Sequence, residues 1–279
     1  MKSQFQAGML KHVLSPWQQL TSDGFVLEMV EGAKIPISDF SKLPATKNVQ
    51  NQVPKHLWSD MDQEVEMLLA LGVIQRTEHE EDEVISPVFL VQKPDGSYRM
   101  ILNLKQFNEA VEYQHFKMEN LPAARKMMRK GGYMAIVDLR HAYYSVPIHP
   151  NYRKFLKFKW RGQLYAYTCF ANGLANCPRY FTKLLKPVYT CLRAQGFLSA
   201  SFIDDCYLQG QTISKCQENI NATVKLFQSL GFTIRDDKSV LEPTKRLKYL
   251  GFILNSEQMT VTLSRILKRQ LKYRWHVLI

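Results

Sequence analysis

The chain has 279 residues, 46% of them hydrophobic, which is enough to bury a large core as one big domain or two interlocked subdomains. Lys and Arg total 37 against 25 Asp and Glu, and this net charge of +12 favours nucleic acid as a partner over a membrane. No apolar stretch reaches roughly 18 residues, and Met1 to Leu10 lacks the apolar core of a secretion signal, so we expect an intracellular protein of cytoplasm or nucleus. The five cysteines show no Cys-x-x-Cys spacing, which argues against a structural zinc site and leaves carboxylates as the ligands of any metal.

The first predicted elements are an extended segment and a helix. Residues 1–53 form an N-terminal lead-in, because Ile35 to Pro54 is polar and contains three prolines, and a compact body begins near Pro54. Ser59 is the predicted cap of a helix of about three turns that ends at Gly72. Its apolar positions follow helical spacing: Met61, Val65, Leu68 and Leu69.

A β-hairpin is predicted next. Val88 to Val91 and Tyr98 to Leu102 are apolar runs that flank a turn on Asp95-Gly96. Lys93 and Arg99 lie beside the turn, where they could bind the phosphates of a triphosphate. An ordinary solvated hairpin explains the same pattern.

The apolar run Tyr133 to Val137 predicts a strand that ends at Asp138. In the turn that follows, backbone N–H groups could cradle phosphates, and the residues concerned are Leu139, Arg140, His141 and Ala142. Tyr143 would then lie beneath the sugar of a nucleotide and obstruct a ribose 2′-hydroxyl, which favours DNA synthesis. The alternative is that Tyr143 is an ordinary core aromatic.

The acidic pair Asp204-Asp205 lies between the apolar runs Phe197 to Ile203 and Cys206 to Leu208. A hairpin with both carboxylates at its tip is costly unless a cation compensates the charges. With Asp138 at a neighbouring strand end, three carboxylates could bind two Mg²⁺ ions, or Mn²⁺, for nucleotidyl transfer. Asp138 and Asp204 are the primary predicted ligands, and Asp205 is auxiliary because strand alternation would point it elsewhere. The alternatives are that Asp204-Asp205 is a turn that serves only solubility and that Asp138 caps the segment after it.

Two more helices and two strands complete the pattern. The first helix opens at Asn176 with Pro178 near its first position and ends at Gly196, and the second opens with a capping box of Ser214 and Gln217 and ends at Gly231. Strands are predicted at Phe232 to Ile234 and Leu247 to Leu254. The fold class is therefore α+β, with antiparallel strands that carry the acids and helices packed behind.

The order of these motifs resembles the reverse transcriptases, most closely those of DIRS-like (tyrosine-recombinase) retrotransposons, over about Gly8 to Thr262. The blocks that carry the resemblance are Ile85-Ser86-Pro87, Lys93 to Arg99, Val137-Asp138-Leu139 with Ala142 to Pro147, Asn172-Gly173-Leu174 with Pro178 to Phe181, Phe202 to Asp205, Leu230-Gly231-Phe232 with Lys238, and Tyr249 to Phe252. Phe202 stands where the family commonly has tyrosine, and Ala171 stands where it usually has proline.

The resemblance implies a right-hand polymerase, the RNA-directed DNA polymerase core of a retrotransposon, with an antiparallel palm sheet backed by helices. Fingers would span residues 54–111 and 148–171, and the palm residues 112–147 and 172–255. Residues 256–279 would be a truncated thumb or basic tail, so that the thumb is largely missing. This last expectation motivates an alternative function, a catalytically incomplete nucleic-acid-binding remnant of a mobile element.

The resemblance also implies residue roles. Lys93 and Arg99 would grip the incoming dNTP, Tyr143 would be the sugar gate, and Asn172 and Gly173 would form the loop beside the nucleotide. Asp138, Asp204 and Asp205 would be the catalytic triad, and Lys238 would protonate the departing pyrophosphate. The primer grip would consist of Lys248, Tyr249, Leu250 and Gly251. The implied partners are an RNA or DNA template with its primer, dNTPs, and other retroelement proteins such as an RNase H or a recombinase. An RNA-dependent RNA polymerase is a further alternative, and Tyr143 speaks against it.

Overall fold

The computed structural model describes residues 5–44, 49–93 and 95–265. Most of the predicted basic tail, Pro94 of the predicted hairpin turn and the first four residues therefore lie outside the described residues. The chain divides into two compact units. The first contains Met1–Phe116, His141–Leu184 and Leu230–Phe232, and the second contains Lys117–Arg140, Leu185–Ser229 and Thr233–Ile279.

The structure is a mixture of helices and antiparallel strands, as the sequence predicts. The helices are α1 (Leu14–Leu20), α2 (Gly24–Gly32), α3 (Trp58–Ala70), α4 (Leu121–Met127), α5 (Cys177–Ala194) and α6 (Ile213–Ser229). The strands are β1 (Ile74–Thr77), β2 (Val88–Gln92), β3 (Tyr98–Leu102), β4 (Tyr133–Asp138), β5 (Lys157–Trp160), β6 (Gln163–Tyr167), β7 (Leu198–Phe202), β8 (Asp205–Gly210), β9 (Val240–Thr244), β10 (Arg246–Tyr249), β11 (Phe252–Asn255) and β12 (Thr260–Leu263). Within the described ranges, no helix is both long and apolar enough to cross a bilayer.

The N-terminal region is helical and contributes to the core, so the prediction that the compact body begins near Pro54 is wrong. Asp23 caps α2 by accepting hydrogen bonds from the backbone N–H groups of Phe25 and Val26. Trp17 of α1 is fully buried, and its indole Nε1 donates a hydrogen bond to the carbonyl oxygen of Leu230 at 3.1 Å. The cap and the apolar spacing of α2 were present in the sequence, but the prolines that follow them drew the prediction toward an extended segment.

The first unit contains a three-stranded antiparallel sheet, in the order β1-β6-β5, and the two-stranded sheet β2-β3. The β2-β3 pair confirms the predicted hairpin, since Val88 lies opposite Leu102 and Gln92 lies opposite Tyr98. Helix α3 is also confirmed, but Ser59 does not cap it. The helix begins one residue earlier, at Trp58, with Leu57 at the cap position and no side-chain cap.

The second unit is built on a four-stranded sheet in the order β7-β8-β4-β9, in which the three neighbouring pairs are antiparallel. Helix α6 packs against β8 and β4. Gly210, at the end of β8, allows this packing because a Cβ atom there would overlap the backbone of Cys216 in α6. Strands β10, β11 and β12 form a separate antiparallel sheet.

Two predictions about the second unit need correction. Thr212 caps α6, because its Oγ1 accepts a hydrogen bond from the N–H of Lys215 at 3.2 Å, while the Ser214 hydroxyl donates to Glu218. The proposed capping box was therefore placed two residues too late.

The predicted strands near the end of the chain also differ in detail. Of Phe232 to Ile234, only Ile234 pairs, in an isolated bridge with Leu139. The run Leu247 to Leu254 is two strands, β10 and β11, which reverse at Leu250-Gly251, where Leu250 adopts a φ of 47°. The predicted palm segments also do not coincide with the second unit, because residues 141–147 and 172–184 belong to the first.

Trp17 tests the contribution of the N-terminal helices to the fold. We expect Trp17→Ala to lower the free energy of unfolding of the first unit by about 3 kcal/mol, because it leaves a large cavity and an unpaired carbonyl oxygen at Leu230. Urea unfolding followed by circular dichroism measures the change. Trp58→Ala is the matched control, since Trp58 is 37% exposed, and equal effects of the two variants would contradict the burial of α1.

Candidate active site

The pairing of β4 with β8 brings two of the predicted acids face to face. Asp138, the last residue of β4, lies directly opposite Asp205, the first residue of β8. Their side chains interact, and the negative charge of Asp138 helps to raise the pKa of Asp205. Asp138 is buried, with only 5% of its surface exposed. The expectation that Asp205 would point elsewhere is therefore wrong, since it shares a face of the sheet with Asp138.

The turn that precedes β8 explains this difference. The two-residue turn consists of Ile203 and Asp204, because Phe202 and Asp205 already pair across the hairpin. Asp204 is exposed at the tip, and its carbonyl oxygen accepts a hydrogen bond from the N–H of Leu139 at 3.0 Å. Ile203 adopts a φ of 56°, a conformation that costs a β-branched residue about 1–2 kcal/mol. Local preference alone would have placed the turn one residue later, on Asp204 and Asp205.

Burial raises the pKa of both paired acids. The pKa of Asp205 rises to about 7, chiefly through desolvation, and the negative charges of Asp204 and Asp138 add to the shift. The pKa of Asp138 is also raised, first by desolvation and then by Asp204, while the positive charge of Lys238 opposes the shift. The pair therefore keeps a proton to a higher pH than an isolated carboxyl group would.

Backbone contacts hold Asp138 in place from the other side of the strand. The hydroxyl oxygen of Ser239 accepts a hydrogen bond from the N–H of Asp138 at 2.9 Å. The carbonyl oxygen of Asp138 accepts one from the N–H of Arg235 at 2.8 Å. The sequence analysis missed Ser239, because no local periodicity links it to Asp138.

The acids suit a hard divalent cation by their chemistry. Two neighbouring carboxylates that are poorly hydrated repel each other when both are ionised, and a cation bound between them would remove the repulsion. Within residues 5–44, 49–93 and 95–265, however, no three His, Cys, Asp or Glu side chains are grouped closely enough to hold a metal ion. The structure thus brings Asp138 and Asp205 together, and it places Asp204 on the adjoining turn.

The turn after Asp138 offers fewer free N–H groups than the sequence suggested. The N–H of Leu139 binds Asp204, and the N–H of Arg140 donates to the carbonyl oxygen of Thr233 at 2.8 Å. Neither is available to a phosphate. His141, with a φ of 52°, precedes a short 3₁₀ helix that starts at Ala142.

The predicted triphosphate residues lie in the first unit. Lys93 Nζ is 4.0 Å from a carboxylate oxygen of Glu64, and the other Glu64 oxygen accepts a hydrogen bond from the N–H of Met100. Glu64 therefore ties the hairpin to α3. Arg99 is exposed on β3, opposite Val91.

The predicted nucleotide loop and sugar gate also lie in the first unit. The ring of Tyr143 packs edge-on against Phe181, with the centroids 5.5 Å apart. Asn172 Nδ2 donates a hydrogen bond to the hydroxyl of Tyr144 at 2.8 Å. Gly173 has a φ of 107°, and a Cβ there would lie 2.9 Å from the carbonyl oxygen of Leu102, so glycine is required.

Asn108 holds this loop and was missed by the sequence analysis. Its Nδ2 donates to the carbonyl oxygen of Gly173 at 2.9 Å, and its Oδ1 accepts from the N–H of Ala175 at 3.0 Å. A single amide side chain thus bonds both sides of the loop tip. The signal in the sequence was weak, because Asn108 lies 65 residues from Gly173.

The predicted primer grip is the β10-β11 hairpin of the second unit. Lys248 is exposed, whereas Tyr249 is buried and packs against Tyr207 with ring centroids 5.6 Å apart. Leu250 and Gly251 form the turn, and the carbonyl oxygen of Gly251 accepts a hydrogen bond from the N–H of Ser264.

The acid pair predicts a pH dependence of the metal-free protein. Between about pH 4 and pH 7 the folded state keeps the Asp205 proton that the unfolded state releases, so this group destabilises the fold increasingly as pH rises through that window. We expect Asp205→Asn to raise the melting temperature in EDTA at pH 8, and the gain to vanish near pH 4. Thermal unfolding of both proteins across this range tests it, with Glu66→Gln on the exposed side of α3 as control. A gain independent of pH would contradict the assignment.

Comparison with known proteins identifies the family to which the chain is similar. The family model for reverse transcriptase (RNA-dependent DNA polymerase) matches residues 91–254. The Pro-Pol polyprotein of simian foamy virus type 1 is 24% identical over 177 residues, which cover 63% of this chain and 15% of that protein. The Pro-Pol polyprotein of feline foamy virus is 24% identical over 196 residues, or 70% of this chain and 16% of that protein.

Solved structures show the same fold. The foamy viral protease-reverse transcriptase in complex with double-stranded DNA matches with a TM-score of 0.70 at 17% identity, over 98% of this chain and 50% of that one. The same kind of protein in complex with an RNA/DNA hybrid gives 0.67 at 18% identity, over 95% and 37%. The chain thus spans about 15% of the length of these curated relatives and half or less of these solved chains. Since the family model covers more than half of its residues, the chain belongs to the reverse transcriptase (RNA-dependent DNA polymerase) family.

Proposed function

We propose that this chain is the polymerase core of a retroelement RNA-directed DNA polymerase, which adds dNTPs to the 3′-hydroxyl of a primer on an RNA or DNA template. One observation carries the proposal: Asp138, which is buried, and Asp205, which is half-buried, lie opposite each other on adjacent strands, with Asp204 on the adjoining turn. The net charge of +12 suits a polyanionic substrate. The two solved relatives in complex with DNA and with an RNA/DNA hybrid are consistent with it.

Asp138, Asp204 and Asp205 would hold the divalent metal ions, two Mg²⁺ or Mn²⁺. When bound, the metals lower the barrier by stabilising charge on the attacking and leaving oxygens. The chain's own contribution is geometric. The paired strands β4 and β8 fix the carboxylates of Asp138 and Asp205, and the hydrogen bond from Leu139 to Asp204 fixes the tip of the turn. Lys238 is exposed near the acids and would give a proton to the departing pyrophosphate.

A second set of residues would recognise the nucleotide. Lys93 and Arg99 would bind its phosphates, and the loop of Asn172 and Gly173, held by Asn108, would lie beside it. Tyr143 would exclude a ribose 2′-hydroxyl. His141 and Ala142 would lie beside the phosphates, whereas Leu139 and Arg140 would not bind them through the backbone, because their N–H groups are bonded within the protein. The β10-β11 hairpin, with Lys248, Tyr249, Leu250 and Gly251, would grip the primer.

The finer assignments form part of the same proposal. They include the DIRS-like type of the element, fingers at residues 54–111 and 148–171, palm at residues 112–147 and 172–255, and partners such as an RNase H or a recombinase. The order of motifs from Ile85 to Phe252 supports them. An intracellular location is the one in which a template and dNTPs are available.

A catalytically incomplete nucleic-acid-binding protein is the second candidate. The observation that favours it is the lack of a three-ligand metal cluster in the described part of the chain. Such a protein would bind primer-template through its basic residues without extending the primer. The two candidates therefore differ in turnover and agree in binding.

The first test is primer extension on a primed RNA template with Mg²⁺ and dNTPs. We expect wild-type extension and a loss of about 10²- to 10³-fold or more in Asp204→Asn, because one charge-stabilising group is removed. Glu218→Gln on α6 is the control for loss of an exposed acid. Equal extension by wild type and Asp204→Asn would refute the role of the acids, and binding without extension by wild type would favour the second candidate.

The second test addresses the sugar gate. We expect Tyr143→Ala to reduce the preference for dNTPs over rNTPs by about 10- to 100-fold, because the ring that blocks the 2′-hydroxyl is gone. Tyr143→Phe keeps the ring packed against Phe181 and should keep the preference. The ratio of kcat/KM for dATP and ATP measures both. An unchanged ratio in Tyr143→Ala would remove the gate role and favour the alternative of an RNA-dependent RNA polymerase.

A further inference from the structure

Strand β7 lies at an edge of the four-stranded sheet, with β8 on one side only. Because Phe202 and Asp205 pair across a two-residue turn, the alternate residues Ser199 and Ser201 direct their backbone N–H and C=O groups away from β8. Groups of this kind on an exposed edge are normally left to water or attract another strand.

Two side chains occupy this edge. Arg193, in the last turn of α5, donates hydrogen bonds to the carbonyl oxygen of Ser199 from Nε at 3.2 Å and from Nη2 at 2.8 Å. Glu119 accepts a hydrogen bond from the N–H of Ser201 at 2.8 Å. Arg193 Nη2 also binds both oxygens of Glu119, at 2.6 and 2.7 Å. We call this pair, Glu119 and Arg193, the edge clamp.

The edge clamp has the donor and acceptor pattern of a neighbouring strand. Arg193 donates to the carbonyl oxygen of Ser199, and Glu119 accepts from the N–H of Ser201, two residues further along β7. A residue of an adjacent parallel strand would bond the same two groups. Both side chains are about one-third exposed, at 36% and 34%, so they form this arrangement at the surface. A simple surface ion pair would not require either backbone bond.

The clamp is two residues away from a strained turn. Ser201 is followed by Phe202 and then by Ile203, whose φ of 56° is unfavourable for a β-branched side chain. A strained conformation persists only where surrounding contacts hold it. On one side of the turn the contact is the hydrogen bond from Leu139 to the carbonyl oxygen of Asp204, and on the other it is the clamp on β7.

We propose that the edge clamp is a positioning device for Asp204 and Asp205, which holds β7 so that the strained turn presents both carboxylates to a divalent cation. Glu119 and Arg193 are positioning residues, since neither touches the acids through a hydrogen bond of its own. The proposal rests on the proposed function for the identity of the cation.

The test compares Glu119→Ala and Arg193→Lys with wild type in two measurements on the full chain. Hydrogen exchange of residues 202–206 reports the turn, and titration with Mn²⁺ followed by calorimetry reports the cation. For Glu119→Ala we expect at least about tenfold faster exchange in this segment and about tenfold weaker Mn²⁺ binding. Arg193→Lys should show a smaller effect, because an ammonium group cannot form the same fork.

The double variant Glu119→Arg with Arg193→Glu separates the clamp from an ordinary ion pair. It restores the attraction between the two charges, but it sets a donor against the N–H of Ser201 and an acceptor against the carbonyl oxygen of Ser199. We expect it to remain as weak in Mn²⁺ binding as Glu119→Ala. Recovery of wild-type binding by the double variant would overturn the proposal in favour of an ion pair.

Two further outcomes are decisive. Glu218→Gln removes the exposed pair of Lys215 and Glu218 on α6 and should match wild type in both measurements. Glu119→Ala could lower the melting temperature while its hydrogen exchange in residues 202–206 and its Mn²⁺ binding stay as in wild type. In that case the clamp is structural only and the proposal fails. If wild type neither binds Mn²⁺ nor extends a primer, the polymerase proposal fails, while exchange in the turn still decides whether the clamp holds it.

Discussion

The site depends on one constraint, the in-register antiparallel pairing of β4 with β8. This pairing places Asp138 and Asp205 opposite each other at the end of a buried sheet, where neither can be fully hydrated. Two carboxylates in this position repel each other when ionised and lose hydration as well. The pair therefore destabilises the fold unless a proton or a cation neutralises one of the two charges. A sheet register that is expensive in this way is hard to explain by stability alone.

Much of the surrounding structure can be understood as support for that register. Ser239 and Arg235 bond the backbone of Asp138, and Leu139 bonds the turn that carries Asp204. The strain at Ile203 is stored beside the acids, as is common at functional sites. In the first unit, Asn108 supports the loop of Gly173 in a similar way, by a hydrogen bond to its backbone. In both units the candidate functional residues lie on turns or at strand ends, and groups from distant parts of the sequence bond the backbone there.

The contrast between regular elements and supporting bonds from distant residues explains how much of the structure the sequence could predict. Regular elements followed from local patterns: the hairpin of β2 and β3 from alternation around Asp95-Gly96, and α5 from apolar spacing between Asn176 and Gly196. The position of Asp138 at a strand end followed in the same way. The direction of Asp205 did not, because the turn adopts an isoleucine at positive φ against local preference. The supporting bonds were also out of reach, since Ser239 lies 101 residues from Asp138 and Glu119 lies 82 residues from Ser201.

Gly210 shows how far the requirements of the site extend beyond the acids. It ends the strand that Asp205 begins, and the backbone of α6 lies so close that no larger residue fits without moving the helix. A methyl group at this position would force β8 and α6 apart at the end of the strand that Asp205 begins. Among diverging copies of this chain, this glycine should therefore be as intolerant of replacement as a carboxylate. Genetic drift could silence such a copy while every residue with a chemical role stays intact.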